Sequence, residues 1–142
     1  MPDVLLEAPI QAPTDRVYAA ITEQSGLSSW WTPDVTAEPR VGSTGEFRFR
    51  GGAFVVKMEI TELDPNRGVR WNVKQGSPEW AGTDVSWQLI PMEGGTRVRF
   101  GHHNYQSVEG SFANVAFNWA YYLNSLKDYL ETGHGRPGGL HA

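Results

Sequence analysis

The chain has 142 residues, 39% of them hydrophobic, which suffices for one core and one domain. Twelve Lys and Arg against 16 Asp and Glu leave a net charge of -4, the wrong sign for a duplex-binding surface. The absence of cysteine excludes disulfides, zinc–thiolate centres and a cysteine nucleophile.

Val4, Leu6, Ala8 and Ile10 alternate with other residues and predict a first strand. Pro13-Thr14-Asp15 supplies a helix start, because proline is tolerated in the first turn and aspartate favours the positive end of the helix dipole. Val17, Ala20 and Ile21 give that short helix an apolar face. A second short helix is predicted over Ser25 to Trp31, stopped by Pro33. Residues 34–45 carry Pro39 among Gly, Ser and Thr and read as loop, with a brief strand near Val35.

From Gly45 the period becomes two. Phe47 and Phe49 alternate with Glu46, Arg48 and Arg50, and Gly51-Gly52 marks a turn. Phe54, Val56, Met58 and Ile60 form the next alternating set, followed by the turn Asp64-Pro65-Asn66-Arg67-Gly68. Val69, Trp71 and Val73 continue it, and a loop from Gly76 to Gly82 carries an isolated Trp80. Val85, Trp87 and Leu89 precede the turn at Glu93-Gly94-Gly95, and Val98, Phe100 and His102 follow. Phe112, Val115, Trp119, Tyr122, Leu126 and Tyr129 then recur at three- and four-residue steps. They predict one long amphipathic helix over roughly Ser111 to Glu131, stopped by Gly133. A single domain is expected over residues 1–132, with residues 133–142 a flexible Gly- and Pro-rich tail.

These parities put aromatic and aliphatic side chains on one sheet face and polar ones on the other, as in an antiparallel sheet with one solvated face. Only the long helix can cover the apolar face, so the class is α+β. A twisted sheet curling around one helix leaves space where the two diverge.

The order of elements resembles the SRPBCC (START-like) superfamily, and within it the activator of heat-shock-protein-ninety ATPase homologue family. The resemblance is carried by Ala12-Pro13-Thr14-Asp15-Arg16-Val17-Tyr18, Trp30-Trp31-Thr32-Pro33, Val69-Arg70-Trp71, Gly94-Gly95-Thr96-Arg97-Val98 and Trp119-Ala120-Tyr121-Tyr122-Leu123. It implies a helix-grip (START-like) fold: a curved antiparallel sheet of six or seven strands wrapped around a long C-terminal helix, with two short helices after the first strand. It also implies binding of a small hydrophobic molecule (lipid, sterol or aromatic polyketide-like) between sheet and helix. Two alternatives come with it: a cofactor-independent enzyme of polyketide cyclase/hydrolase type using the same cavity, and a co-chaperone-like protein interaction.

The residues expected at a ligand cavity are Trp31, Phe49, Met58, Trp71, Trp87, Phe100, His102, Asn118, Trp119 and Tyr122. The competing reading of the aromatic members is plain core packing, since such rings dominate cores. His102, the one titratable group facing inward on the last strands, is either an acid–base group or a histidine satisfied at a strand end. His102 and His103 point to opposite faces and cannot chelate one ion. No metal, no cofactor and no assigned catalytic residue are expected. Gly133-His134-Gly135-Arg136-Pro137-Gly138 matches the dinucleotide pattern in letters only, because a helix precedes it and no strand does. The outward charges Arg48, Arg50, Lys57, Glu59, Arg97 and Arg99 mix both signs and read as a solvated face. Neither nucleic acid nor a membrane span is expected, since no apolar run approaches the roughly 20 residues a span requires. Met1-Pro2-Asp3 lacks the regions of a signal peptide, so a cytoplasmic monomer or weak homodimer is expected.

Overall fold

The period-two segments become seven strands and the helical spacing near the C-terminus becomes one long helix, in a computed structural model that describes residues 2–138. The strands are β1 (Val4–Ile10), β2 (Asp34–Thr36), β3 (Thr44–Phe49), β4 (Phe54–Asp64), β5 (Gly68–Gln75), β6 (Asp84–Met92) and β7 (Gly95–His103). Helices α1 (Thr14–Thr22) and α2 (Gln24–Trp30) follow β1, and α3 (Phe112–Thr132) follows β7. The brief strand near Val35 is β2, and it makes the count seven.

All strands pair antiparallel in one sheet, in the order β1-β7-β6-β5-β4-β3-β2. Every neighbouring pair except β1–β7 is sequential, so the chain crosses the sheet once, and α1 and α2 make that crossing. Register shifts between β4 and β5, at Lys57/Met58 and Ile60/Glu62, add the local twist that curls the sheet. The inner face is buried in alternation: Thr96, Val98, Phe100 and His102 on β7, for example, against exposed Arg97 and Arg99. Helix α3 lays Val115, Trp119, Tyr122, Leu123, Leu126 and Leu130 onto that face. Among the described residues, no helix is long and apolar enough to cross a membrane.

Gly133, in the left-handed region at φ 86°, ends α3 and donates its N–H to Tyr129 O at 2.8 Å. The segment after it turns back along α3 and is hydrogen-bonded as far as Gly138. Arg136 N–H donates to Ser125 Oγ at 2.6 Å, Ser125 Oγ to Trp30 O at 2.8 Å, and Gly138 N–H to Trp31 O at 2.7 Å. The last carbonyls of α2 lack partners within the helix, and Ser125 on α3 serves Trp30 O while the returning chain serves Trp31 O. Residues 139–142 lie outside the described residues.

Helix α2 can pack this closely because Gly26 faces α1. A Cβ at that position would sit 2.5 Å from Ala20 Cα and 2.7 Å from Ala20 O, both backbone atoms. Helix propensity alone would make Gly26→Ala stabilising by about 1 kcal/mol. The clash dominates, and we expect a loss of about 1–3 kcal/mol, read as a lower urea midpoint at unchanged slope.

Candidate functional site

The space between sheet and α3 is filled by rings, and all six tryptophans belong to one connected set. Trp31 stacks parallel to Trp71 (centroids 6.0 Å, interplanar 1°) and lies 5.9 Å from Trp30 at 11°. Trp71 meets Trp87 edge-on at 5.7 Å, Trp87 meets Phe100 at 4.9 Å, and Phe100 meets Trp119 at 4.5 Å. Trp80 stacks on Trp119 at 6.4 Å and 19°. Pro78 opens a short 3-10 turn over Pro78–Trp80, which folds the indole back onto α3.

This packing stops short where the β3–β4 connection, the β5–β6 loop and the first turns of α3 converge. A cavity of about 110 Å³ remains there. Trp31, Phe49, Phe54 and Val56 line one side, Ser77 and Trp80 a second, and Ser111, Asn114, Val115, Asn118, Trp119 and Tyr122 the third. Asn114 is exposed and Phe54, Ser77 and Ser111 are half-buried, so the cavity reaches solvent on that side. Two of the lining residues carry a buried polar atom without a hydrogen-bond partner among the described residues: Trp80 Nε1 and Ser111 Oγ. Trp80 is only 7% exposed, so its indole is buried against the cavity and the core behind it. A third orphan, Trp87 Nε1, sits among Trp30, Trp71 and Phe100 and is not in the lining.

Five of the ten expected residues line the cavity: Trp31, Phe49, Asn118, Trp119 and Tyr122. Trp71, Trp87, Phe100, Met58 and His102 do not. They are buried behind it, because edge-to-face packing among the rings closes the space those side chains were expected to border. Met58 and Trp71 instead flank a recess of about 10 Å³, room for no more than a single water. The lining residues that sequence reasoning did not select are Phe54, Val56, Ser77, Trp80, Ser111, Asn114 and Val115. Val56 and Val115 carried a signal in the strand and helix periodicities. Trp80, in a loop without period, carried none.

His102 is fully buried and wholly engaged. Trp119 Nε1–H donates to its Nδ1 at 3.1 Å, and the Tyr105 hydroxyl lies 3.3 Å from the same nitrogen. With Nδ1 accepting, the proton is on Nε2, which donates to Thr83 Oγ1 at 2.9 Å, and Thr83 Oγ1 donates to Trp80 O at 2.6 Å. Burial pushes the imidazole pKa down to about 3, helped by the neighbouring His103 and opposed by Asp3. The neutral ring has both nitrogens engaged, by Trp119 and Tyr105 on one side and by Thr83 on the other.

A family model described as Activator of Hsp90 ATPase homolog 1-like protein matches residues 11–131. Among solved structures the chain is similar to the Aha1 dimer from Colwellia psychrerythraea, at 39% identity over 95% of this chain and 100% of that one, with a TM-score of 0.87. A Staphylococcus saprophyticus protein is 18% identical over 95% of this chain and 96% of its own, with a TM-score of 0.81. DynU16, from the dynemicin biosynthetic locus, is 22% identical over 94% of this chain and 48% of its own, with a TM-score of 0.79. The last two likenesses are of fold alone. No curated protein matches the chain.

The buried histidine makes stability fall with acid. The unfolded chain binds a proton near pH 6.5 that the folded chain refuses until about pH 3, so stability is full above 6.5 and declines below it. Between pH 6.5 and 4.5 this group accounts for a loss of about 2–3 kcal/mol. We expect His102→Gln to be less stable at pH 7 and to lose less over that interval in urea titrations. An unchanged pH slope would refute the assignment.

Proposed function

This chain belongs to the Activator of Hsp90 ATPase homolog 1-like family, and we propose that it binds a compact, ring-sized aromatic molecule carrying a hydrogen-bond acceptor in the cavity beside the head of α3. The observation that carries this reading is that two residues of a largely aromatic and aliphatic lining, Trp80 and Ser111, hold buried polar atoms, Nε1 and Oγ, without a hydrogen-bond partner among the described residues. A buried donor left without an acceptor costs roughly 1–3 kcal/mol, and a ligand oxygen would recover it. Size narrows the class. At about 110 Å³ the space is comparable to the roughly 150 Å³ engineered cavity that accepts benzene. It therefore favours a single ring over a sterol or a long acyl chain within the range of hydrophobic ligands expected for this fold.

Binding is favoured over turnover. The polar side chains of the lining are Ser77, Trp80, Ser111, Asn114, Asn118 and Tyr122, none of which exchanges protons near neutral pH unaided, and His102 is outside it. A cyclase or hydrolase in this cavity would lack an acid–base group. The co-chaperone-like alternative has the family's name in its favour and no feature of the cavity. The Colwellia relative is a dimer, and at that level of identity it supports a homodimer here as well, which light scattering after size exclusion would check.

The test is a thermal-shift screen with phenol, indole, benzaldehyde, cholesterol and palmitate, followed by calorimetry on any hit. A single-ring compound with an acceptor is expected to bind, and at 100 times its dissociation constant to stabilise by roughly 2.7 kcal/mol, several degrees in a domain of this size. Trp80→Phe should weaken it about three- to tenfold, and Val115→Phe, which fills the cavity, should abolish it. Binding of cholesterol or palmitate alone, or of nothing, would overturn the reading.

A further inference from the structure

The outer face of the sheet carries a second arrangement, remote from the cavity and independent of the reading above. Ser86 on β6 and His103 on β7 both point outward, and the residue paired with Ser86 in register is Gly101. Having no side chain there lets the His103 ring fold back across the strand. A Cβ at position 101 would lie 2.3 Å from His103 Nε2, 2.4 Å from Cε1 and 3.0 Å from Ser86 Oγ. The space that any other residue would occupy is thus taken by the imidazole, which brings Nε2 to 2.7 Å from Ser86 Oγ.

The other ring nitrogen is also held. Nδ1 lies 3.0 Å from Asp3 Oδ2, and Asp3 Oδ1 accepts the Asn104 N–H at 2.9 Å, which fixes the carboxylate's orientation. These hydrogen bonds hold the Asp3 carboxyl below its usual range. An ionised Asp3 accepts Nδ1–H, leaving Nε2 free to accept the Ser86 hydroxyl proton. The three groups are in the order and spacing of an activated serine nucleophile, a base and the carboxylate that orients the base. The His103 and Asp3 side chains are 21% and 34% exposed, so solutes reach them. Arg70 stands opposite Ser86 across the β5–β6 pair and is itself held by Asp84. Ser86 and Arg70 both border a surface groove of about 920 Å³ that also includes Arg67, Gln88 and Glu62.

We propose that Ser86, His103 and Asp3 form a nucleophilic triad on the outer face of the sheet, acting on small activated carboxylic esters. Ser86 Oγ attacks the ester carbonyl carbon as its proton passes to His103 Nε2, and the oxyanion that forms faces the Arg70 guanidinium. Collapse breaks the bond to the alcohol, which leaves with the proton from Nε2, and the acyl group stays on Ser86. Water, deprotonated by the same nitrogen, then attacks the acyl-serine, and Ser86 takes back the proton. The sum is ester plus water giving carboxylic acid plus alcohol. Asp3 is a positioning residue, acting through the tautomer of His103.

The same contacts could merely tether the start of β1 to β7, and the experiment separates the two roles. The intact protein is treated with a fluorophosphonate probe and, separately, with p-nitrophenyl acetate, and adducts are read by intact mass and peptide mapping. We expect one phosphonyl adduct on Ser86, no adduct in Ser86→Ala, and at least tenfold slower labelling in His103→Gln, each variant checked for its fold by circular dichroism. Asp3→Asn should slow ester hydrolysis and move the acid limb of its pH profile to lower pH, a readout that a tether would leave unmoved. Absence of an adduct on Ser86, or equal labelling of folded His103→Gln, would overturn the triad.

Discussion

Six indoles must be accommodated between one curved sheet and one helix, and most of the architecture follows from how they are. Indoles are flat and rigid, so they pack by stacking or by edges and cannot collapse into gaps as Leu or Met does. Trp31 is the pivot: it lies parallel to Trp71 on β5, against Trp119 on α3 at 5.2 Å and against Phe47 on β3 at 4.3 Å. Its position at the end of α2 therefore fixes that helix, and with it the crossing from one sheet edge to the other. Around the pivot the rings fill the core, and at the head of α3, where sheet and helix diverge, they leave the cavity. The site is a by-product of the packing that stabilises the fold, which is why its walls are aromatic.

Rings with N–H groups impose a second demand, for acceptors in a dry interior. Trp30 Nε1–H finds Ala20 O at 2.8 Å, and Trp119 Nε1–H finds His102 Nδ1. The second solution requires the histidine to be neutral and its Nδ1 lone pair to be occupied. A group so employed is unavailable for proton transfer in the cavity, and the depressed pKa is the electrostatic expression of the same fact. The fold supplies no acceptor among the described residues for Trp80 Nε1 or Trp87 Nε1, and of these two residues Trp80 lines the cavity while Trp87 does not. The indoles' donors are thus met unequally, by a carbonyl at Trp30 and by an imidazole at Trp119.

How far the sequence discloses this depends on which residues are periodic. The strand parities and the 112–132 stripe place Phe49, Trp119 and Tyr122 correctly, because alternation and the helical repeat state which face is inward. They do not state how deep along that face a residue lies, so periodicity alone does not separate Trp71 and Trp87 on neighbouring strands, which pack edge-on to each other, from the residues that line the cavity. Trp80 reaches the cavity through a 3-10 turn that has no counterpart in period, and its role depends on a fold-back set by Pro78. The outer face was legible only as a mixture of charges. Gly101 two residues before His103 was a local signal that the ring had room to lie flat, whereas Asp3 arrives from 100 residues away through the β1–β7 register. Contacts of that separation are set by pairing and leave no trace in either segment alone.

The end of β7 shows how completely environment decides the chemistry of a side chain. His102 and His103 are adjacent, so the pleat sends them to opposite faces. Inward, the ring meets Trp80, Trp119, Tyr105 and Thr83, and its nitrogens are consumed by groups that need them for packing. Outward, the ring meets a glycine, a hydroxyl and a carboxylate, and its nitrogens bridge a proton donor and an anion. The first arrangement excludes water and so favours the uncharged ring; the second is open to solvent, with the His103 and Asp3 side chains 21% and 34% exposed. A single substitution at Gly101 would cost the outer arrangement its geometry while leaving the inner one in place, because only the outer ring occupies the space a Cβ would take. The two faces are therefore separable by mutation, although they share one strand.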